Sequence, residues 1–161
     1  MEIRRTEPVD LDAIMEIYDH ARQYMRLNGN LNQWIDGYPS REIIAEDMKK
    51  GYSHVCTAEG EIVAVFSFIL GIDPTYLKIY EGSWQNDEPY GVIHRIASAS
   101  HQKGVASYCI DWCYKQCGNI RIDTHEDNHI MQNLLIKNGF VRCGKIYLLN
   151  GAPRVAFQKS K

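Results

Sequence analysis

The stretch SHQKGVASY, Ser100 to Tyr108, sets a polar, glycine-punctuated turn directly before a helical hydrophobic pattern, and it follows the strand-like GVIHRIAS without a break. A strand that feeds a turn and then a helix leaves several backbone N–H groups without intrahelical partners and pointing one way, and the helix dipole adds partial positive charge there. Such a place suits an anion, phosphate above all. Gly104 permits close approach, Val105 and Ala106 keep side chains small or lateral, and His101 and Lys103 add charge beside the amide of Gln102. A glycine that merely eases a tight turn is the bland alternative. Neither GxGxxG nor GxxxxGK[ST] occurs, which excludes the dinucleotide fold and the P-loop.

A second set of residues suits proton transfer. Alternation places Glu88, Tyr90, Val92 and His94 on one strand face, provided that the strand begins early enough. His94 is the first candidate for a general base, direct or through water, because its reference pKa lies near the working pH; Glu88 is the second. A satisfied histidine beneath a pocket and a solvated loop carboxylate are the alternatives. DTHEDNH, from Asp123 to His129, imitates two further chemistries. A hydrolase triad through Asp123 and His125 lacks a GxSxG elbow. A metal site on His125 and His129 lacks a third ligand at useful spacing. Cys109, Cys113 and Cys117 recur every four residues, but Val105, Cys109, Trp112 and Cys113 form a core stripe, so buried free thiols and no metal are expected.

Elements must position these groups. A short strand from Ile3 to Thr6 precedes an amphipathic helix, Asp10 to Leu27, with Asp10 as N-cap and Ile14, Ile17, Tyr18, Ala21 and Met25 on one face. LNGNLNQWIDGYPS is a loop presenting Trp34 and Tyr38, after which Ser40 caps a helix closed by Gly51. HVCTA and IVAVFSFIL pair as a hairpin about Glu59-Gly60. The run from Ile72 to Tyr90, rich in aromatics, is an excursion without an assignable element. GVIHRIAS is a strand, the next helix ends near Gln116 before Gly118, and NIRIDT is a strand. Asp127 or Asn128 then starts a helix ended by Asn138-Gly139. The tail is a hairpin about Asn150-Gly151, a common type I′ turn sequence. The order is βααβββαβαββ, with no repeat or linker.

The chain of 161 residues is 45% hydrophobic and 24% charged, with a formal net charge of −2. It has the length of one domain and lacks a basic field, so nucleic acid is a poor default partner. The longest apolar run, Ile62 to Ile72, is broken by Ser67 and Gly71 and is too short for a bilayer, so no membrane partner is expected. The odd cysteine count, with no CxxC pair and no leader-like apolar start, favours the cytoplasm.

The order of elements, the loop HQKGVA, and DNHIMQNLLIKNGF together resemble the GNAT superfamily of acyl-CoA-dependent N-acetyltransferases over nearly the whole chain. The resemblance implies an α/β fold with a mixed, mostly antiparallel central sheet flanked by helices, residues 1–161 forming a single domain. It implies acetyl-CoA as co-substrate. The pantetheine arm would pair with Ile96, Ala97 and Ser98, the pyrophosphate would lie on His101, Gln102, Lys103, Gly104, Val105 and Ala106, and Asn128 would reach the arm. Trp34, Tyr38, Trp84 and Tyr90 would line the acceptor side, and backbone N–H groups near Ile96 would polarise the thioester carbonyl.

Two departures stand out. His101 replaces the usual arginine or glutamine of the loop, with Gln102 beside it. Leu135 occupies the position where many members carry a tyrosine that protonates the leaving thiolate. A thiol of pKa near 8.5 leaves at pH 7 against about 2 kcal/mol, which water can meet. A lysine-like ammonium is neutral only about once in 10³ molecules, a cost of about 4.6 kcal/mol, so a base or a desolvated pocket is needed. The expected acceptor is a small amine, an amino acid or a peptide N-terminus. An acyl-CoA-binding sensor with little turnover is the alternative, and the choice between monomer and homodimer is open.

Overall fold

Each change of hydrophobic period in the chain coincides with a change of element. The structure, a computed structural model, describes residues 1–99 and 103–161, so His101 and Gln102 lie outside the described residues. The elements are β1 (Glu2–Arg5), α1 (Leu11–Leu27), α2 (Arg41–Lys49), β2 (Ser53–Ala58), β3 (Glu61–Leu70), β4 (Gly91–Ser98), α3 (Val105–Cys117), β5 (Asn119–Thr124), α4 (His129–Lys137), β6 (Val141–Tyr147) and β7 (Pro153–Ser160). This is the expected order. The sheet runs β1-β2-β3-β4-β5-β7-β6. The pairs β1/β2, β2/β3, β5/β7 and β6/β7 are antiparallel. β4 and β5 are parallel, with Gly91 opposite Ile120 and Val92 opposite Arg121. Among the described residues no helix is long and apolar enough to cross a membrane.

Two compact units divide the chain: Met1–Phe68 with His94–Cys109, and Ile69–Ile93 with Ile110–Lys161. In the first, Ile14, Ile17 and Tyr18 of α1 meet Ile44 of α2, Val55 of β2, Val65 of β3 and Ala97 of β4 in one core. The i, i+3, i+4 spacing on α1 makes this burial possible. Ser40 caps α2, accepting from the Ile43 N–H at 3.3 Å. Glu59 and Gly60 both take left-handed φ, +52° and +80°, as a two-residue hairpin of this type requires. Asp10 departs from its expected role. Its backbone is already helical and it does not cap α1. Its carboxylate instead accepts from the Glu7 N–H at 2.7 Å and pairs with Arg4 at 2.7 and 3.0 Å, closing the 3-10 turn ahead of the helix.

In the second unit Tyr76, Tyr90, Val92, Ile146 and Ala156 form the core, with Trp84 packed against it. The excursion holds a 3-10 turn at Pro74–Tyr76. Its Tyr80 exchanges backbone hydrogen bonds with Lys145 at 2.8 Å in each direction. An amide network fixes its end: Gln158 donates to Asn119 at 2.8 Å, Asn119 donates to Asn86 at 3.0 Å, and the Gln85 N–H donates to Gln158 at 2.7 Å. The last hairpin differs from expectation. Gly151 takes φ +87° while Asn150 does not, and the Leu148 N–H closes on Ala152 at 2.9 Å. The connection is therefore longer than the two-residue type I′ turn that Asn150-Gly151 suggests. Along α3, Val105, Cys109 and Cys113 are buried as the stripe required, Trp112 is half-buried, and all five cysteines are free thiols.

Candidate active site

The described part of the anion turn consists of Lys103, Gly104 and the start of α3. Gly104 is exposed at φ +77°, and an added Cβ there would meet nothing within 4 Å. The Tyr108 N–H donates to the Gly104 carbonyl at 3.1 Å, and the N–H groups of Val105 and Ala106 belong to the first turn of α3, whose donors have no intrahelical acceptor by geometry. Val105 is buried and Ala106 half-buried, which anchors the turn while leaving the Gly104 backbone approachable.

The strand leading to the turn carries a feature that its sequence does not announce. Arg95, in the middle of β4, has φ +53°. A left-handed residue other than glycine costs about 1–3 kcal/mol and persists only where its surroundings over-determine it. Here Tyr18 of α1 donates to the Arg95 carbonyl at 2.7 Å. The Arg95 guanidinium forks onto both carboxylate oxygens of Asp47 of α2 at 2.8 Å and donates to the Tyr38 hydroxyl at 3.0 Å. Ser67 of β3 donates to Asp47 at 2.6 Å. Burial drives the Tyr18 hydroxyl far above its ordinary pKa, so it remains a phenol and a donor. Burial alone would lower the pKa of Arg95, but Tyr38 and Asp47 outweigh it and hold the charge. Around Arg95, Ala97 is buried, while His94, Ile96 and Ser98 are half-buried.

The loop between α1 and α2 is fastened from below. Arg26 donates to the carbonyls of Asn30, Gln33 and Trp34 at 2.9, 2.7 and 2.9 Å, and Arg22 donates to that of Tyr38 at 3.1 Å. Trp34 stands edge-on to Tyr18 at 5.6 Å and lies 6.4 Å from Tyr38. Trp34, Tyr38 and β4 are thus joined through Tyr18 and Arg95.

The remaining expected residues lie in the second unit. β4 begins at Gly91, so Glu88 is an exposed residue ahead of the strand, and alternation does not carry it onto the face of His94. Trp84 and Tyr90 are brought together with Tyr76 and Arg121. Asn128 caps α4, its Oδ1 accepting from the Met131 N–H at 3.0 Å. Leu135 is fully buried. Asp123 accepts from the Tyr76 hydroxyl at 2.7 Å. His125 Nδ1 accepts from the Asp127 N–H at 3.0 Å, and burial together with Arg154 lowers its pKa, so the ring is neutral. Neither group of DTHEDNH is poised as a triad member.

Sequence reasoning missed Arg95, Asp47, Tyr18 and Ser67. Asp47 sits in the charged run EDMKK, which looks solvated, and nothing in GVIHRIAS marks its arginine for a left-handed backbone. Tyr18 showed as part of the apolar face, without its hydroxyl's partner.

No protein-family model and no curated protein sequence matches the chain. Solved structures do. An acetyltransferase of the GNAT family from Streptococcus agalactiae 2603 is 35% identical, with a TM-score of 0.91 over 99% of this chain and 95% of that one. One from Listeria monocytogenes 4b F2365 is 18% identical, with a TM-score of 0.72 over 99% and 94%. A ribosomal-protein-alanine N-acetyltransferase from Brucella melitensis is 17% identical, with a TM-score of 0.61 over the full length of both chains, a likeness of fold. The chain belongs to the GNAT family and is an N-acetyltransferase of that class.

Proposed function

We propose that residues 1–161 act as one catalytic domain that moves the acetyl group of acetyl-CoA directly to an amine. The observation that carries this reading is the open Gly104, at φ +77° directly before α3, in the chain that follows β4 with its left-handed Arg95. Backbone N–H groups near Ile96 polarise the thioester carbonyl, and Ile96, Ala97 and Ser98 pair with the pantetheine arm. Lys103, Gly104, Val105 and Ala106 take the pyrophosphate through backbone donors, the helix dipole and one ammonium. His94 accepts the proton that an ammonium acceptor must lose, directly or through water. Trp34 and Tyr38 form a wall on the acceptor side, where aromatic faces suit a cation.

Thermal unfolding with acetyl-CoA, CoA and ATP at matched concentrations tests the reading. A ligand at 100 times its Kd stabilises the fold by about 2.7 kcal/mol. We expect acetyl-CoA and CoA to raise Tm and Gly104→Asp, which has room for its side chain but strains the left-handed backbone and so lowers the starting Tm, to remove the shift. No shift, or one shared equally by ATP, would overturn it. The buried Leu135, at the position of the family's tyrosine acid, favours a second reading as an acyl-CoA sensor. Sustained acetyl-dependent release of CoA across a panel of amines excludes a pure sensor.

A further inference from the structure

A cavity of about 630 Å³ opens in the second unit. Its size falls within the roughly 300–1,000 Å³ of small-molecule sites. Its aromatic wall is fixed at each polar handle. Tyr76 donates to Asp123 at 2.7 Å, Trp84 Nε1 donates to the Tyr76 carbonyl at 2.9 Å, and the Tyr90 hydroxyl accepts from the Asp73 N–H at 3.1 Å. Leu70, Ile72 and Leu77, which also line the cavity, are 64%, 73% and 72% exposed, an unusual display for three aliphatic side chains.

Beneath the aromatics lies Arg121, which is 5% exposed. Its guanidinium carbon is 4.3 Å over the Trp84 ring and 4.2 Å over the Tyr90 ring. One nitrogen donates to the Asn86 carbonyl at 2.6 Å, while the buried Nε–H meets no acceptor. Among the described residues no carboxylate lies within ion-pair distance of it, although the charge of Asp87 and the Tyr90 hydroxyl both favour its charged form. A guanidinium carries five donors and keeps its proton, so burial with so few acceptors is unfavourable unless something supplies them. The opposite charge also lines the cavity, in the exposed carboxylates of Asp87 and Glu88.

An apolar wall between a buried cation and exposed anions fits a zwitterion with an apolar body. We propose that this cavity binds a free apolar amino acid, an aromatic one above all, with its carboxylate toward Arg121 and its ammonium toward Asp87 and Glu88. Cys117, which closes α3, and Tyr90, which precedes β4, line this cavity, whereas the residues assigned to acetyl-CoA end β4 and begin α3. The inference does not depend on acetyl transfer.

Isothermal titration of the full chain with L-phenylalanine, without acetyl-CoA, tests it. We expect saturable binding, weakened about tenfold or more when L-phenylalaninamide or 3-phenylpropanoate replaces the amino acid. Arg121→Met should weaken binding by a similar factor. Leu77→Glu, at an exposed position that folding does not need, should do the same if the buried substitution fails to fold. Absence of saturable heat, undiminished binding in the folded variants, or 3-phenylpropanoate binding as tightly as phenylalanine would each overturn the proposal. Thermal shifts by acetyl-CoA report separately on the transferase reading.

Discussion

Asp47 holds Arg95 through both carboxylate oxygens, and that pairing is what allows a left-handed residue in the middle of a strand. Asp47→Asn leaves a buried guanidinium without its counter-charge, for which breaking a buried pair costs about 3–5 kcal/mol. We expect the urea midpoint to fall accordingly and kcat to fall further than the loss of folded protein explains; a variant of wild-type stability would contradict the role given to the pair. Tyr18→Phe leaves the Arg95 carbonyl without its donor and should cost about 1–3 kcal/mol, measured in the same way. At this scale the sequence was legible where local rules govern. Gly104 sits where its pattern put it, and Ser40 caps as its type predicts. Arg95 was not legible, because its conformation is set by side chains 48 and 77 positions away.

Elements followed the same division. GVIHRIAS and NIRIDT are strands over their whole lengths because hydrophobic period and punctuation agree there. The excursion before β4 has no period to follow; its order comes from partners distant in the chain, Lys145 for Tyr80 and Gln158 for Gln85. Gly82 is one of its anchors, since an added Cβ would overlap the Cys143 carbonyl oxygen of β6. Gly82→Ala should therefore destabilise the protein by about 1–3 kcal/mol through overpacking, with no backbone penalty of its own. An unchanged denaturation midpoint would show that the contact yields. The two hairpins make the same point about turns: Glu59-Gly60 forms the tight turn, while the better-known Asn150-Gly151 pair lies within a longer connection that the paired strands impose.

For the molecule as a whole, pH reads out burial. Burial lowers the pKa of His54, which stacks on Phe66 at 5.5 Å, and of His125. A histidine whose folded pKa is depressed binds fewer protons folded than unfolded, so its stabilising contribution is complete above the unfolded value of 6.5 and is lost as pH falls through the folded value. The loss is spread over the interval between the folded and the unfolded value of each ring. We expect the urea midpoint to fall between pH 7 and pH 5 and His54→Gln to flatten part of the slope; a level profile would contradict this. Asp10, whose pKa the Arg4 hydrogen bond lowers, adds stability that is lost only below the ordinary carboxylate value of 3.8. The Arg26 latch has a consequence of another kind. With three loop carbonyls already held on one guanidinium, the wall carrying Trp34 and Tyr38 is ordered when the chain folds. The entropy of closing that loop is thus charged to folding, and an arriving amine gives up only its own freedom.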